Sequence, residues 1–180
     1  MANRSLLKKQ IREAWSQSIR DDYAAQRINS ERSLQASLWS KLNALLATTS
    51  RRMFIEPCMT VPGPGRQVRY PDLVICNSRE VIGIIELKYQ PRAKPKWRKD
   101  VDTFHFLATH RDTISISNTR FRGIVADARL YPLANDVLFV WAGVHTACDL
   151  MLNEHVDPLL APHFMSLHAE TQLSGPPNLR

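Results

Sequence analysis

Two carboxylates and a lysine stand where this 180-residue chain otherwise looks like core. Tyr70-Pro71-Asp72-Leu73-Val74-Ile75-Cys76 and Val81-Ile82-Gly83-Ile84-Ile85-Glu86-Leu87-Lys88 are apolar runs joined by the polar stretch Asn77-Ser78-Arg79-Glu80. They read as the two strands of a hairpin. Burying an unpaired charge is costly, so Asp72, Glu86 and Lys88 need a partner, a metal or a chemical task.

Side chains two apart in a strand share a face, so Glu86 and Lys88 point one way and Leu87 the other. With Ser78-Arg79-Glu80 as the loop, Asn77 pairs with Val81 and Asp72 falls opposite Glu86. Facing Cβ atoms in such a pair are roughly 4.5–5.5 Å apart. Two carboxylates at that separation repel, and burial worsens the repulsion. A divalent cation turns the liability into a site. Asp72 and Glu86 supply hard oxygens, the Leu87 carbonyl offers a third, and water or phosphate oxygens complete the octahedron that Mg²⁺ prefers. Mg²⁺ is therefore the expected ion, with Mn²⁺ substituting. Such an ion lowers the pKa of a bound water and offsets charge on a phosphoryl group. Lys88 beside it would position or deprotonate the water, its own pKa depressed by the neighbouring cation. A two-residue loop would slip the register and undo the pairing.

The elements that must hold these residues are legible on either side. Apolar positions Leu6, Leu7, Ile11, Trp15 and Ile19 predict an N-terminal helical extension over residues 1–28. Asn29-Ser30 then starts an amphipathic helix over Glu31–Ala47, with Leu34, Leu38, Leu42 and Leu45 on one stripe. Glu31 and Gln35 lie near that stripe. A glutamate there either aims into a site beside the sheet or simply favours the helix dipole. Met53 to Val61 reads as a first strand, edge or bulged at Pro57, and it carries Glu56. Pro62-Gly63-Pro64-Gly65 is a turn. After the hairpin comes a basic, proline-punctuated loop, then a helix from Trp97 to about His110. Asp136 to Val144 is a buried strand, and Cys148 to Val156 a short helix. Residues 29–157 thus form one α/β domain, a mixed central sheet with flanking helices. Residues 158–180 form a C-terminal tail, irregular towards its end.

Charge suggests a partner. The formal net charge is +7, and seven basic residues stand against two acids between Lys88 and Arg111. A basic block beside an acidic site suits a polyanion such as nucleic acid. Lys94, Lys96, Arg98 and Lys99 are the candidate phosphate contacts. Trp97 among them either stacks on a base or sugar or caps the core at a helix start. Three cysteines in no zinc spacing read as small buried hydrophobes in a reducing compartment. The six histidines are scattered in no metal spacing and read as surface or helix-end residues. No Walker-type or GxGxxG loop is present, which argues against a nucleotide-driven motor within this chain. The N-terminus is too polar for a signal peptide, and no apolar run approaches the ~20 residues of a membrane span. A cytoplasmic protein with no membrane partner is expected.

Pro71-Asp72, thirteen intervening residues, then Glu86-Leu87-Lys88 resembles the signature of the PD-(D/E)XK nuclease superfamily. That group includes restriction endonucleases, Holliday-junction resolvases and repair nickases. The resemblance implies a restriction endonuclease-like αβββαβ core. It also implies Mg²⁺ on Asp72 and Glu86, and Lys88 assisting the water nucleophile. A glutamate on the first core helix would be Glu31, with Glu56 its competitor. The expected function is a Mg²⁺-dependent nuclease hydrolysing phosphodiester bonds in DNA, RNA being left open. Cutting both strands with one site per chain favours a homodimer. The rival class is a catalytically inactive nuclease-fold protein acting as a nucleic-acid-binding or assembly subunit. A third reading makes the ion pair purely structural.

Overall fold

The computed structural model describes residues 4–61, 67–117, 119–148 and 150–180, so the Pro62–Gly65 turn lies outside the described residues. The chain begins with α1 (Ser5–Gln17), a π-helical turn (Ser18–Tyr23) and α2 (Glu31–Leu46). Strands β1 (Arg52–Ile55), β2 (Met59–Val61), β3 (Gln67–Arg69), β4 (Leu73–Cys76) and β5 (Val81–Gln90) follow. Next come α3 (Arg98–Thr109), β6 (Ser115–Ser117), β7 (Arg120–Arg122), β8 (Val125–Asp127) and β9 (Leu130–Thr146). The chain ends with β10 (Phe164–Thr171) and β11 (Asn178–Leu179).

Ser30 fixes the start of α2. Its hydroxyl accepts from the Ser33 amide at 3.2 Å, while the Ser33 hydroxyl accepts from the Ser30 amide at 3.0 Å. This reciprocal cap satisfies two amides that a helix start leaves unpaired. The helix then buries Leu34, Gln35, Leu38, Leu42 and Leu46, and Glu31 sits in its exposed first turn.

The sheet is mixed. β4 runs antiparallel to both β1 and β5, and β9 runs parallel to both β5 and β10. Parallel neighbours need a crossover, and α3 supplies it between β5 and β9. At its other end β9 pairs antiparallel with β6, which leads on to β2 and β3. Partners in a parallel ladder point the same way, so Glu86, Lys88, Phe139, Trp141, Gly143, His145, Phe164, His168 and Glu170 share one face of the sheet. α3 covers that face: the Phe104 ring lies 5.4 Å from Phe139 and 6.1 Å from Phe164. On the opposite face Leu7 of α1 lies over Gly83.

The hairpin reaches its register by a route other than the three-residue loop expected. Cys76, not Asn77, pairs with Val81, so the loop is Asn77–Glu80. Asn77 Oδ1 organises that loop by accepting from the Arg79 and Glu80 amides at 2.7 and 2.8 Å. A bulge at Ile82 then adds one residue to β5, and Ile75 pairs with Gly83. From there Leu73 faces Ile85, and continuing that register by one residue beyond β4 turns Asp72 toward Glu86. Without the bulge, Asp72 would share a face with Ile85 and Leu87 instead.

Other expectations change. The single strand over Met53–Val61 is two strands, because Glu56 turns the chain at φ 45° just before Pro57. β1 then stays with β4 while β2 joins β3 and β6. The helix over Cys148–Val156 is only a 3-10 turn at Leu152–Glu154. The stretch set apart as a C-terminal tail contributes β10 to the sheet, and the N-terminal extension buries Leu7, Ile11, Ala14 and Trp15 in the same core. Among the described residues, no helix is long and apolar enough to cross a membrane.

Deleting Ile82 removes both the bulge and a buried side chain, and is expected to cost more than ~3 kcal/mol in urea unfolding. Deleting exposed Ser78 from the adjoining loop leaves the register intact and is expected to cost about 1 kcal/mol. Equal losses would show that the bulge does not set the register.

Candidate active site

Asp72 is held from three directions. Gln35 Nε2 of α2 donates to its carbonyl at 2.9 Å, and the Glu56 amide donates to the same carbonyl at 3.1 Å. The Leu87 amide donates to its Oδ2 at 2.6 Å. The main chain is thus pinned to α2 and to the end of β1, and the carboxylate to β5. Glu86 stands beside it, 8 % exposed. Burial, then Asp72 and Asp100, push the Glu86 carboxyl up to about 9. Burial also pushes Asp72 up, to about 6, against the Leu87 amide, which favours its charged form. Desolvation thus works against charge on both groups, most strongly on Glu86.

Lys88 lies 3.2 Å from Asp100 Oδ1 and 3.9 Å from Glu31 Oε2, and its ammonium donates to the Leu87 carbonyl at 3.0 Å. Burial alone would lower its pKa. Asp100 and then Glu31 outweigh burial and hold it above its ordinary value. Lys88 is thus held as a cation by its acidic neighbours. Asp100 is buried on α3, and its other oxygen accepts from the Trp141 indole at 3.1 Å. Burial raises the Asp100 carboxyl, while Lys88 and Trp141 favour its charge. Gly143 makes room for that indole: a Cβ there would come within 2.3 Å of the Trp141 ring.

These groups line an open cleft of about 510 Å³. Glu31, Asp72, Glu86, Asp100 and Asp102 face Arg69, Lys88 and Lys99 across it, with Tyr70 and Thr103 also in the wall. Five carboxylates against three cations leave room for a divalent charge. Among the described residues, no lysine or arginine pairs directly with Asp72 or Glu86, whereas Lys88 is committed to Glu31 and Asp100. Two adjacent carboxyls of low exposure offer hard oxygens of the kind a divalent ion takes.

The structure brings Glu31, Asp72, Glu86 and Lys88 together. Glu31 Oε2 also accepts from the Tyr89 amide at 3.3 Å, which aims it at the cleft. Glu56 is exposed beyond the end of β1, not on a strand, and lines a neighbouring groove that Glu31, Gln35 and Asp72 also line. Leu87 keeps its side chain on the opposite face, and its carbonyl is engaged by Lys88. Of the basic candidates, Lys99 lines the cleft, while Lys94, Lys96 and Arg98 are exposed on the loop and first turn beside it. Trp97 stacks on His155 with ring centroids 5.0 Å apart and packs against the core. Asp100, Trp141 and the Arg69–Tyr70 wall were not singled out from the sequence. Asp100 was detectable, because it falls four residues before Phe104 and seven before Leu107, on the apolar stripe of α3. Comparison with family models, curated proteins and solved structures returns no match for this chain.

A carboxyl whose folded pKa lies above its unfolded value makes stability fall as pH rises between the two. For Glu86 that window runs from about 4.5 to about 9. Glu86→Gln is therefore expected to gain on wild type from about pH 5 to about pH 8, by at most ~1.4 kcal/mol per pH unit. Parallel urea titrations at the two pH values check this. A constant difference would place the Glu86 pKa outside the window.

Proposed function

We propose that this chain is a metal-dependent phosphodiesterase acting on DNA, with a PD-(D/E)XK-type core. The observation that carries the reading is the convergence of Asp72, Glu86 and Lys88 in one cleft, with the two carboxyls side by side and desolvation raising both. Element order supports it: α2, then β1, β4 and β5, then α3 and β9, follows the helix, three strands, helix and strand that the resemblance implies. Asp72 and Glu86 would hold Mg²⁺ or Mn²⁺. When bound, the ion offsets phosphoryl charge and lowers the pKa of a water. Lys88 supplies a fixed positive charge at the cleft wall, and Asp100 keeps it there. Glu31 adds a second carboxylate against that ammonium. Lys99, Arg69 and the exposed Lys94, Lys96 and Arg98 offer phosphate contacts along the rim. Cutting both strands of a duplex would call for a homodimer.

A second reading, a binding subunit without catalysis, draws on the capture of Lys88 by Asp100 and the Leu87 carbonyl. It calls for salt-sensitive DNA binding with no turnover.

Supercoiled, linear, branched and single-stranded DNA, with RNA alongside, are incubated with Mg²⁺ or Mn²⁺. Wild type is expected to cut at least one DNA substrate, and Asp72→Ala and Glu86→Ala to lose about 100-fold or more. Equal traces of cleavage from wild type and Asp72→Ala would sink the proposal. DNA retention with no cleavage by any protein would favour the second reading. Asp100→Asn is expected to lower kcat about 10- to 100-fold and to move the alkaline limb of the pH profile to lower pH. An unchanged profile would remove Asp100 as the residue that sets the charge of Lys88.

A further inference from the structure

The face of the sheet that carries Glu86 and Lys88 continues past Trp141 into a second polar cluster, whose residues do not line the cleft. His145 on β9 sits directly beside Glu170 on β10 in the parallel ladder, and His168 sits beside Gly143. His145, His168 and Glu170 are all buried. This departs from the surface placement expected for the histidines. Cys148 follows β9 immediately and folds back, and its Sγ lies 3.8 Å from His145 Nδ1. The ligand atoms of His145, Cys148 and Glu170 all lie within 4.8 Å of one another.

We propose that His145 Nδ1, Cys148 Sγ and a Glu170 carboxylate oxygen form a binding site for one divalent ion of the zinc class. One nitrogen, one sulfur and one oxygen donor match the mixed sets that zinc takes with a fourth position open. A thiolate and an imidazole also rank well above Mg²⁺ or Ca²⁺ donors in softness, so the ion differs in class from one that suits Asp72 and Glu86. Around a single zinc the sulfur and nitrogen sit roughly 3.6 Å apart, close to the separation already present.

The surroundings are those a metal ligand needs. Arg180 donates to Glu170 Oε1 from Nε at 2.8 Å and from Nη2 at 2.5 Å, and Nη2 also donates to the Cys148 carbonyl at 2.8 Å. One side chain thus orients both the carboxylate and the cysteine turn. The carboxylate can bridge the guanidinium and an ion through its two oxygens. His145 Nε2 lies 2.9 Å from His168 Nδ1, which sets the tautomer of the ligating ring. Without metal, His145 Nδ1 faces the Thr146 carbonyl at 2.8 Å and donates to it, while Nε2 accepts from His168. An ion replaces the proton on Nδ1. The shared proton passes from His168 Nδ1 to His145 Nε2, and His168 takes up a proton at its own Nε2. Both rings stay neutral, and the net release is the thiol proton of Cys148. Burial favours neutral imidazole at both positions, as ligation requires.

The test uses the full reduced chain and Co²⁺ as a spectroscopic stand-in for zinc. Wild type is expected to show a thiolate-to-cobalt charge-transfer band that saturates at one equivalent, is bleached by Zn²⁺ and is indifferent to Mg²⁺. Cys148→Ser should abolish the band and Cys58→Ser should leave it. His168→Asn should weaken binding about tenfold. Zn²⁺ should raise the melting temperature of wild type but not of Cys148→Ser, which separates loss of the site from loss of the fold. No band at stoichiometric metal, or a band that survives Cys148→Ser, overturns the proposal. None of these readouts involves cleavage, so the outcome stands apart from the nuclease reading.

Discussion

Asp72, at the entry to β4, and Glu86 on β5 stand side by side in the cleft wall, and much of the surrounding structure serves that placement. Desolvation raises both carboxyls, helped by the charge of Glu31 at Asp72 and by those of Asp72 and Asp100 at Glu86. Among the described residues, the fold holds the pair without a lysine or arginine paired to either carboxyl. It uses main-chain contacts instead: the Leu87 amide on Asp72 Oδ2, and Gln35 and the Glu56 amide on the Asp72 carbonyl. Such neutral donors fix position while leaving the negative potential in place. A salt bridge would have quenched that potential.

The lysine is treated in the opposite way. Lys88 is enclosed by Asp100, Glu31 and the Leu87 carbonyl, and Asp100 is steadied by the Trp141 indole. A positive charge is thus kept on one wall and a deficit of positive charge on the other. Trp141 is shared property. Its nitrogen serves Asp100, and its ring lies 5.3 Å from His168 and 6.0 Å from His145. Gly143 permits this by giving the ring the space a Cβ would occupy. Two polar clusters of different chemical character therefore rest on opposite sides of one side chain.

How much of this can be read from residues alone depends on range. The hairpin, its two carboxylates and the flanking helices follow from apolar period and capping chemistry, which act over a few residues. The placement of Asp72 against Glu86 also follows, but not its cause. Val81, Ile82 and Gly83 are all apolar or neutral, so alternation carries no mark of the bulge between them. Glu31 could be placed on its helix, yet the position of Glu56 off any strand depends on the turn there, a backbone conformation that composition does not announce. Asp100 was submerged in a block of charges, although its spacing to Phe104 and Leu107 marked it as inward. The His145–Glu170 neighbourhood was out of reach. It exists only through the register of β9 on β10, and β10 lies among prolines that read as irregular chain.

β9 has a consequence beyond the sites it carries. Its first residues pair with β6, and its later ones lie between β5 and β10. The strands that present Arg69 and those that present Glu86 are therefore joined through a backbone that neither can release alone. A molecule wired in this way has no cheap partial opening between its two strand groups. The slowest-exchanging amides should belong to the middle of β9, and the chain should lose its structure in a single cooperative step.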